Sequence, residues 1–92
     1  MKQPLSVVII TQNEEINLRD CLESIRHLAD EIVIIDSNSS DQTQVIAQEY
    51  GAIVQITDNW PGFGMQKNRA ISLANNDWIL SIDADEIGRA HV

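Results

Sequence analysis

The sequence predicts an α/β protein built on an open, doubly wound, mainly parallel sheet with strand order 3-2-1-4. Two short runs, Val7-Val8-Ile9-Ile10 and Ile32-Val33-Ile34-Ile35, are β-branched and lack the alternation of a one-sided sheet. They fit strands buried between two layers of helices. Stretches with helical spacing separate the strand-like runs in the order β-α-β-α-β-α-β, and they are long enough for right-handed parallel crossovers. Each strand-like run also ends in polar or acidic residues: Thr11-Gln12-Asn13-Glu14, Asp36, Thr57-Asp58 and Asp83-Ala84-Asp85. In such a sheet ligands bind outside the carboxyl ends of the strands, so these groups should converge on one rim.

The first strand is expected over Leu5 to Thr11. Asn13 reads as the N-cap of the next helix, with Glu14 and Glu15 in the first turn, where the helix dipole favours negative charge. Leu18, Cys21, Leu22, Ile25 and Leu28 recur at spacings of three and four, which predicts one buried stripe and a structural role for Cys21. A second strand is predicted over Ile32 to Asp36, followed by a loop at Ser37-Asn38-Ser39-Ser40. Asp41 with Gln44 resembles a capping box. The following helix should turn Val45, Ile46 and Tyr50 inward and end with Gly51 at C′. Ala52 to Thr57 reads as the third strand, and Trp60-Pro61-Gly62-Phe63-Gly64 as a loop. A helix from Met65 to Asn75 would place Ala70, Leu73 and Ala74 on one side, and a fourth strand, Trp78 to Ile82, leads into Asp83.

Composition bounds the function. The 92 residues carry 14 acidic and 6 basic side chains, a formal net charge of −8 at pH 7. That balance argues against a nucleic-acid surface, which needs a basic face. A small anionic ligand is still compatible, because a few cations and backbone amides can hold a phosphate locally. Cys21 is the only cysteine, so no intrachain disulfide can form and a reducing cytosol is the natural compartment. No apolar run approaches the about twenty residues of a membrane span or the about seven of a signal-peptide core. The chain is expected to be soluble, with any membrane contact peripheral or made through a partner.

Asp83 and Asp85 stand at i and i+2 after an apolar run, so in extended backbone both carboxylates project to one side. With small Ala84 between them they could share a hard cation, since magnesium needs only one or two carboxylates when phosphates and water complete its shell. A solvated acidic turn is the plainer alternative; the preceding strand-like run favours the metal. Gly62 to Arg69 supplies the positive half, with glycines that admit an anion to the backbone and a helix N-terminus aimed at it. Lys67 and Arg69 cannot share a helical face, and Lys67 is the one expected in the site. A glycine turn followed by a solvated helix face accounts for the same residues equally well. The spacing is not that of a Walker loop. His27 and His91 have no metal-ligand spacing with each other or with Cys21, and no Gly-x-Ser-x-Gly elbow occurs.

Taken together, Leu5 to Glu15, Ile32 to Ser37 and Asp77 to Glu86 resemble family 2 glycosyltransferases of the GT-A fold, whose nucleotide-binding half is Rossmann-like. Trp60 to Asn68 is similar to a subgroup containing lipopolysaccharide-core β-glucosyltransferases. The resemblance covers residues 1–87 as a nucleotide-sugar-binding half; Gly88 to Val92 match no continuation of the family and form an atypical tail. It implies an enzyme that uses a nucleotide-diphosphate sugar, UDP-linked, with Mg²⁺ or Mn²⁺, for inverting transfer to a glycan or lipid-linked acceptor of the cell envelope. By position, the resemblance assigns Thr11 and Glu14 to the base pocket, Asp36 to the uracil and Lys67 to the base or diphosphate. It assigns Asp83 to the ribose or metal side and Asp85 to the metal. Gln12 stands where some family members carry an aromatic residue.

In the family the catalytic base and the acceptor site follow the Asp-x-Asp, beyond the residues of this chain, so no catalytic residue is assigned here. The chain by itself is expected to bind a nucleotide sugar weakly without transferring it at a useful rate. Two alternatives stand beside this reading: a truncated, non-catalytic nucleotide-binding module, and a phosphohydrolase of the haloacid dehalogenase type with Asp83 as nucleophile. The resemblance also implies a cytoplasmic protein, peripheral at the inner face of the plasma membrane. An exposed fourth-strand edge predicts a homodimer or a tendency to aggregate.

Overall fold

A computed structural model describes residues 4–58 and 62–83 of the chain; at Phe63 and Asp83 it describes the backbone. The two-sided apolar runs form the central strands, β1 (Leu5–Thr11) and β2 (Glu31–Asp36). They are joined by α1 (Glu15–Ile25) and followed by α2 (Thr43–Glu49), β3 (Ile53–Ile56), α3 (Phe63–Leu73) and β4 (Trp78–Asp83). All strands are parallel, in the order β3-β2-β1-β4, the predicted arrangement.

Side chains alternate between two apolar layers because successive strand residues point to opposite faces. Val7, Ile9 and Ile34 meet Leu18, Cys21, Leu22 and Ile25 of α1 and Ile46 and Ala47 of α2 on one face. Val8, Val33 and Ile35 meet Ala70 of α3 on the other, with Leu73, Ala74 and Ile79 around them. The first two crossovers step outward from β1 to β3, while the third passes back over the sheet to place β4 on the far side of β1. The chain therefore changes direction between β1 and β4, and ligand crevices open at such switch points.

Several local expectations are corrected. Asn13 is not the N-cap of α1: Glu14 takes that position, and Asn13 adopts a left-handed backbone with φ of 54°. Short polar Asn tolerates that conformation, and its side chain is spent on the neighbouring loop. Leu28 is 51% exposed because α1 ends at Ile25, so the stripe stops one turn before it. The Asp41–Gln44 capping box does not form; Gln42 is the N-cap of α2, and Gln44 reaches toward Asp36 instead. Val45 is 47% exposed, and Thr43 and Ala47 join Ile46 in the buried face. α3 begins at Phe63, two residues before the expected start, on Gly62 with φ of 106°, a conformation that suits glycine. Gly51, with φ of 72°, follows the C-cap of α2 at C′ as anticipated.

Candidate functional site

The carboxyl ends of the strands form a row fixed by the sheet register. Thr11 and Asp36 are Cα partners across β1 and β2, Asp36 pairs with Ile56 of β3, and Asp83 pairs with Ile10 of β1. The ladder continues past the strands: the Ser37 N–H donates to the Thr11 carbonyl at 3.0 Å, and the Thr57 N–H to the Asp36 carbonyl at 2.8 Å.

Asp36 is the centre of this row. It is fully buried, as is Thr11 beside it. Its Oδ1 accepts from the Thr11 hydroxyl at 2.7 Å and from the Ser39 hydroxyl at 2.5 Å. Its Oδ2 accepts from the Ser39 N–H at 2.7 Å and from Gln44 Nε2 at 2.9 Å. Four donors fill the roughly four lone-pair positions of a carboxylate, which is how a charge survives burial.

A second carboxylate organises the loop between β2 and α2. Asp41 Oδ1 accepts from the Thr43 N–H at 2.9 Å and from the Thr43 hydroxyl, while Oδ2 accepts from the Glu15 N–H at 3.3 Å. The Glu14 N–H donates to Thr43 Oγ1 at 2.9 Å. The first turn of α1 is thus capped by side chains of another loop rather than by its own. Burial disfavours the Asp41 charge, but the bonds from Thr43 and Glu15 together outweigh it and hold this carboxyl below its ordinary range. Asn13 laces the same loops, its N–H donating to Ser39 Oγ at 2.8 Å and its Oδ1 accepting from the Ser40 N–H at 2.9 Å.

α3 meets the rim through Gln66. This amide is fully buried, and its Nε2 donates to Ser37 Oγ at 2.9 Å and to Thr57 Oγ1 at 3.0 Å. Its Oε1 accepts from Arg69 at 2.8 Å. Lys67 follows Gln66 in the same turn and is partly buried. Among the described residues no ion pair or hydrogen bond joins Lys67 to Asp36, so the two are linked through Gln66 and Ser37 rather than directly.

Thr11, Glu14, Asp36 and the Lys67 turn therefore meet at one rim, and the backbone of Asp83 ends β4 at the same edge. Asp85 and the Trp60-Pro61 part of the loop lie outside the described residues, as does the side chain of Asp83. Among the described residues no group of three or more His, Cys, Asp and Glu side chains could hold a metal. With both its oxygens engaged, Asp36 is a hydrogen-bond acceptor here rather than a metal ligand. Cys21 is no nucleophile: burial, aided by the charge of Glu14, pushes its thiol up to about 12.

Sequence reasoning missed Gln66, Thr43, Ser39 and Gln44 as parts of the site. The signal for Gln66 was available, since it stands four residues before Ala70 on the apolar face of α3. A polar side chain at a core position needs partners.

The parallel sheet in the order β3-β2-β1-β4, with helices on both faces and a polar rim at its switch point, defines an open, doubly wound α/β domain. The chain belongs to glycosyl transferase family 2, whose family pattern matches residues 6–88. It is 41% identical over 86 residues to an uncharacterized glycosyltransferase of Rickettsia bellii, covering 94% of this chain and 29% of that protein. It is 42% identical to the lipopolysaccharide core biosynthesis glycosyltransferase LpsC of Rhizobium meliloti, covering 92% and 33% of the two. Among solved structures it is similar to glucosyl-3-phosphoglycerate synthase of Mycobacterium tuberculosis in complex with uridine diphosphate. That match has a TM-score of 0.78 and 30% identity, over 90% of this chain and 34% of the other. The same enzyme has also been crystallised with Mn²⁺ and uridine-diphosphate-glucose. The chain thus spans about a third of the length of the relatives it matches. Family membership removes the phosphohydrolase alternative.

Proposed function

We propose that the chain is the nucleotide-sugar-binding half of an inverting glycosyltransferase that takes a UDP-linked sugar. Residues 1–87 form this half and residues 88–92 a tail outside it. The observation that carries the reading is the register-locked rim, Thr11 against Asp36 with α3 tied beside them, at the switch point of a family 2 fold. The uridine-diphosphate complexes of the mycobacterial neighbour support the choice of nucleotide.

Thr11 and Glu14 would line the base pocket. Asp36 would accept the imide N–H of uracil by exchanging it for the Ser39 hydroxyl, because its acceptor positions are otherwise filled. Lys67 would lie by the base or diphosphate and Asp83 by the ribose or metal. Asp83 and Asp85 would hold Mg²⁺ or Mn²⁺; oxygen ligands at the end of β4 suit such hard cations. When bound, the ion would offset charge on the departing diphosphate. Transfer further needs a carboxylate base for the acceptor hydroxyl, a role given to none of the residues named here.

The acceptor would be a glycan or lipid-linked sugar of the cell envelope, such as lipopolysaccharide core, in line with the likeness to LpsC. The protein would work in the cytoplasm, peripheral at the inner face of the plasma membrane; no helix among the described residues is long and apolar enough to cross a membrane. The β4 edge, with Trp78 60% and Leu80 39% exposed, would support a homodimer.

A UDP titration with and without Mn²⁺ tests the reading, followed by NMR amide shifts with Mg²⁺ as the diamagnetic control. Saturable shifts at Thr11, Glu14, Asp36 and Lys67, strengthened by the cation, are expected, with no measurable sugar transfer by this chain. Shifts confined to the outer surface of α1 and α2 would overturn it. Turnover matching that of a full-length relative would refute the division of labour between the two halves.

A further inference from the structure

Gln66 stands in line with Ala70 and Leu73 at the helical spacing of a buried stripe, yet it is an amide with no exposed surface. Arg69 fixes which way it faces, because a guanidinium only donates and so must meet Oε1. Nε2 is left for Ser37 and Thr57, the residues that follow β2 and β3. One side chain therefore bolts the first turns of α3 to the tips of two strands. An apolar residue of the same size would fill the space without needing three partners, so packing alone does not explain the amide.

We propose that Gln66 is a positioning residue: by bonding Ser37 and Thr57 it fixes the spacing between Asp36 on β2 and Lys67 on α3, and so the width of the nucleotide cleft. The inference deepens the nucleotide-sugar reading above, and its first readout does not depend on that reading.

The test compares the full chain with Gln66→Leu, Gln66→Glu and, as a control in the opposite layer, Ile25→Val. In the ligand-free state, Gln66→Leu should speed hydrogen exchange at Thr57 and at Lys67 to Ala70 by at least about tenfold, the scale of a single buried hydrogen bond, since both bonds to the strand tips are lost, with α1 unchanged. UDP should bind Gln66→Leu about tenfold more weakly, while Ile25→Val should bind as wild type despite its lower melting temperature. Gln66→Glu should rescue both, because its carboxylate can accept from both hydroxyls and from Arg69. Unchanged exchange, or wild-type UDP affinity in Gln66→Leu, would overturn the proposal. If Gln66→Leu does not fold, Ser37→Ala decides by the same exchange readout: faster α3 exchange supports the link, and none overturns it. A wild-type chain that ignores UDP would sink the nucleotide reading, and the exchange result would still decide whether Gln66 holds α3 to the strand tips.

Discussion

The Thr11 hydroxyl donates to Asp36 Oδ1 at 2.7 Å between residues that are also Cα partners in the β1–β2 ladder. Backbone register and side-chain chemistry are therefore one constraint at this rim. A slip of either strand by one residue would turn that strand's group to the opposite face, away from its partner.

Two substitutions separate the parts of that constraint. Thr11→Val keeps the shape and the β-branch but removes one of the four donors to Asp36, so stability should fall by about 1 kcal/mol. Asp36→Asn loses the charge and turns an amide donor toward hydroxyl or N–H donors, so it should cost about 2–3 kcal/mol and abolish UDP binding. Urea midpoints with unchanged slopes would measure both. Equal losses would mean that the carboxylate matters only through Thr11.

Ser39 gives the opposite sign. Its hydroxyl occupies Asp36 Oδ1, where the ligand's imide N–H is proposed to arrive. Ser39→Ala should lower stability by about 1 kcal/mol while tightening UDP by up to about fivefold, the equivalent of that bond in binding. Calorimetric titration beside thermal melts would report the two together. Weaker binding would show that the hydroxyl supports the pocket rather than competing within it.

The contrast between Asp36 and Gln66 explains how far the sequence could be read. Asp36 ends an apolar run, and strand ends point to a rim by topology alone; the order β3-β2-β1-β4 and the convergence of Thr11, Glu14 and Asp36 were legible for that reason. Gln66, Ser39 and Thr43 each also make a contact 26 to 29 residues away, Gln66 to Ser37, Ser39 to Asn13 and Thr43 to Glu14, which no local periodicity encodes. The mistaken caps share that cause. Asn13 has the chemistry of a helix cap, but Thr43 and Asp41 take the first N–H groups of α1 and leave it for Ser40; at α2, Asp41 keeps the Thr43 N–H while Gln44 turns to Asp36. Leu28 failed differently: periodicity was extended past the point where α1 stops.

Cys21 should make the protein sensitive to alkali. Its thiol is raised from an ordinary 9.0 to about 12 by burial and by Glu14, so the native state keeps a proton that the unfolded state releases. The stabilising difference is fully present below pH 9.0 and is lost as pH rises toward about 12. Cys21→Ala should flatten that alkaline decline, measured as urea midpoints at pH 7.5 and about pH 10. The native thiol should resist a disulfide reagent at pH 8 and react once urea unfolds the chain. Immediate labelling of the folded protein would contradict its burial.

At the opposite end of the sheet Glu31 contributes to stability against acid. Its Oε1 accepts from the Asn75 N–H and the Ser6 hydroxyl, both at 2.8 Å, and Oε2 accepts from Asn75 Nδ2. Asn76 adds a bond to Ser6 at 3.1 Å, so one carboxylate clasps the starts of β1 and β2 to the turn before β4. The Asn75 N–H lowers the Glu31 carboxyl most; burial opposes it, and the Asn75 amide and Ser6 hydroxyl add to the lowering. The native state therefore binds this proton less readily than the unfolded chain. Its contribution is fully present above the ordinary value of 4.5 and disappears as pH falls through the lowered one. Glu31→Gln cannot accept at both ends of its group, since an amide nitrogen would face a donor. The variant should be less stable than wild type at pH 7, and the gap should close toward pH 3 as wild type loses its charge. Chemical denaturation of both proteins across that range measures the gap directly. A constant offset from pH 7 to pH 3 would mean that shape, not charge, holds the clasp.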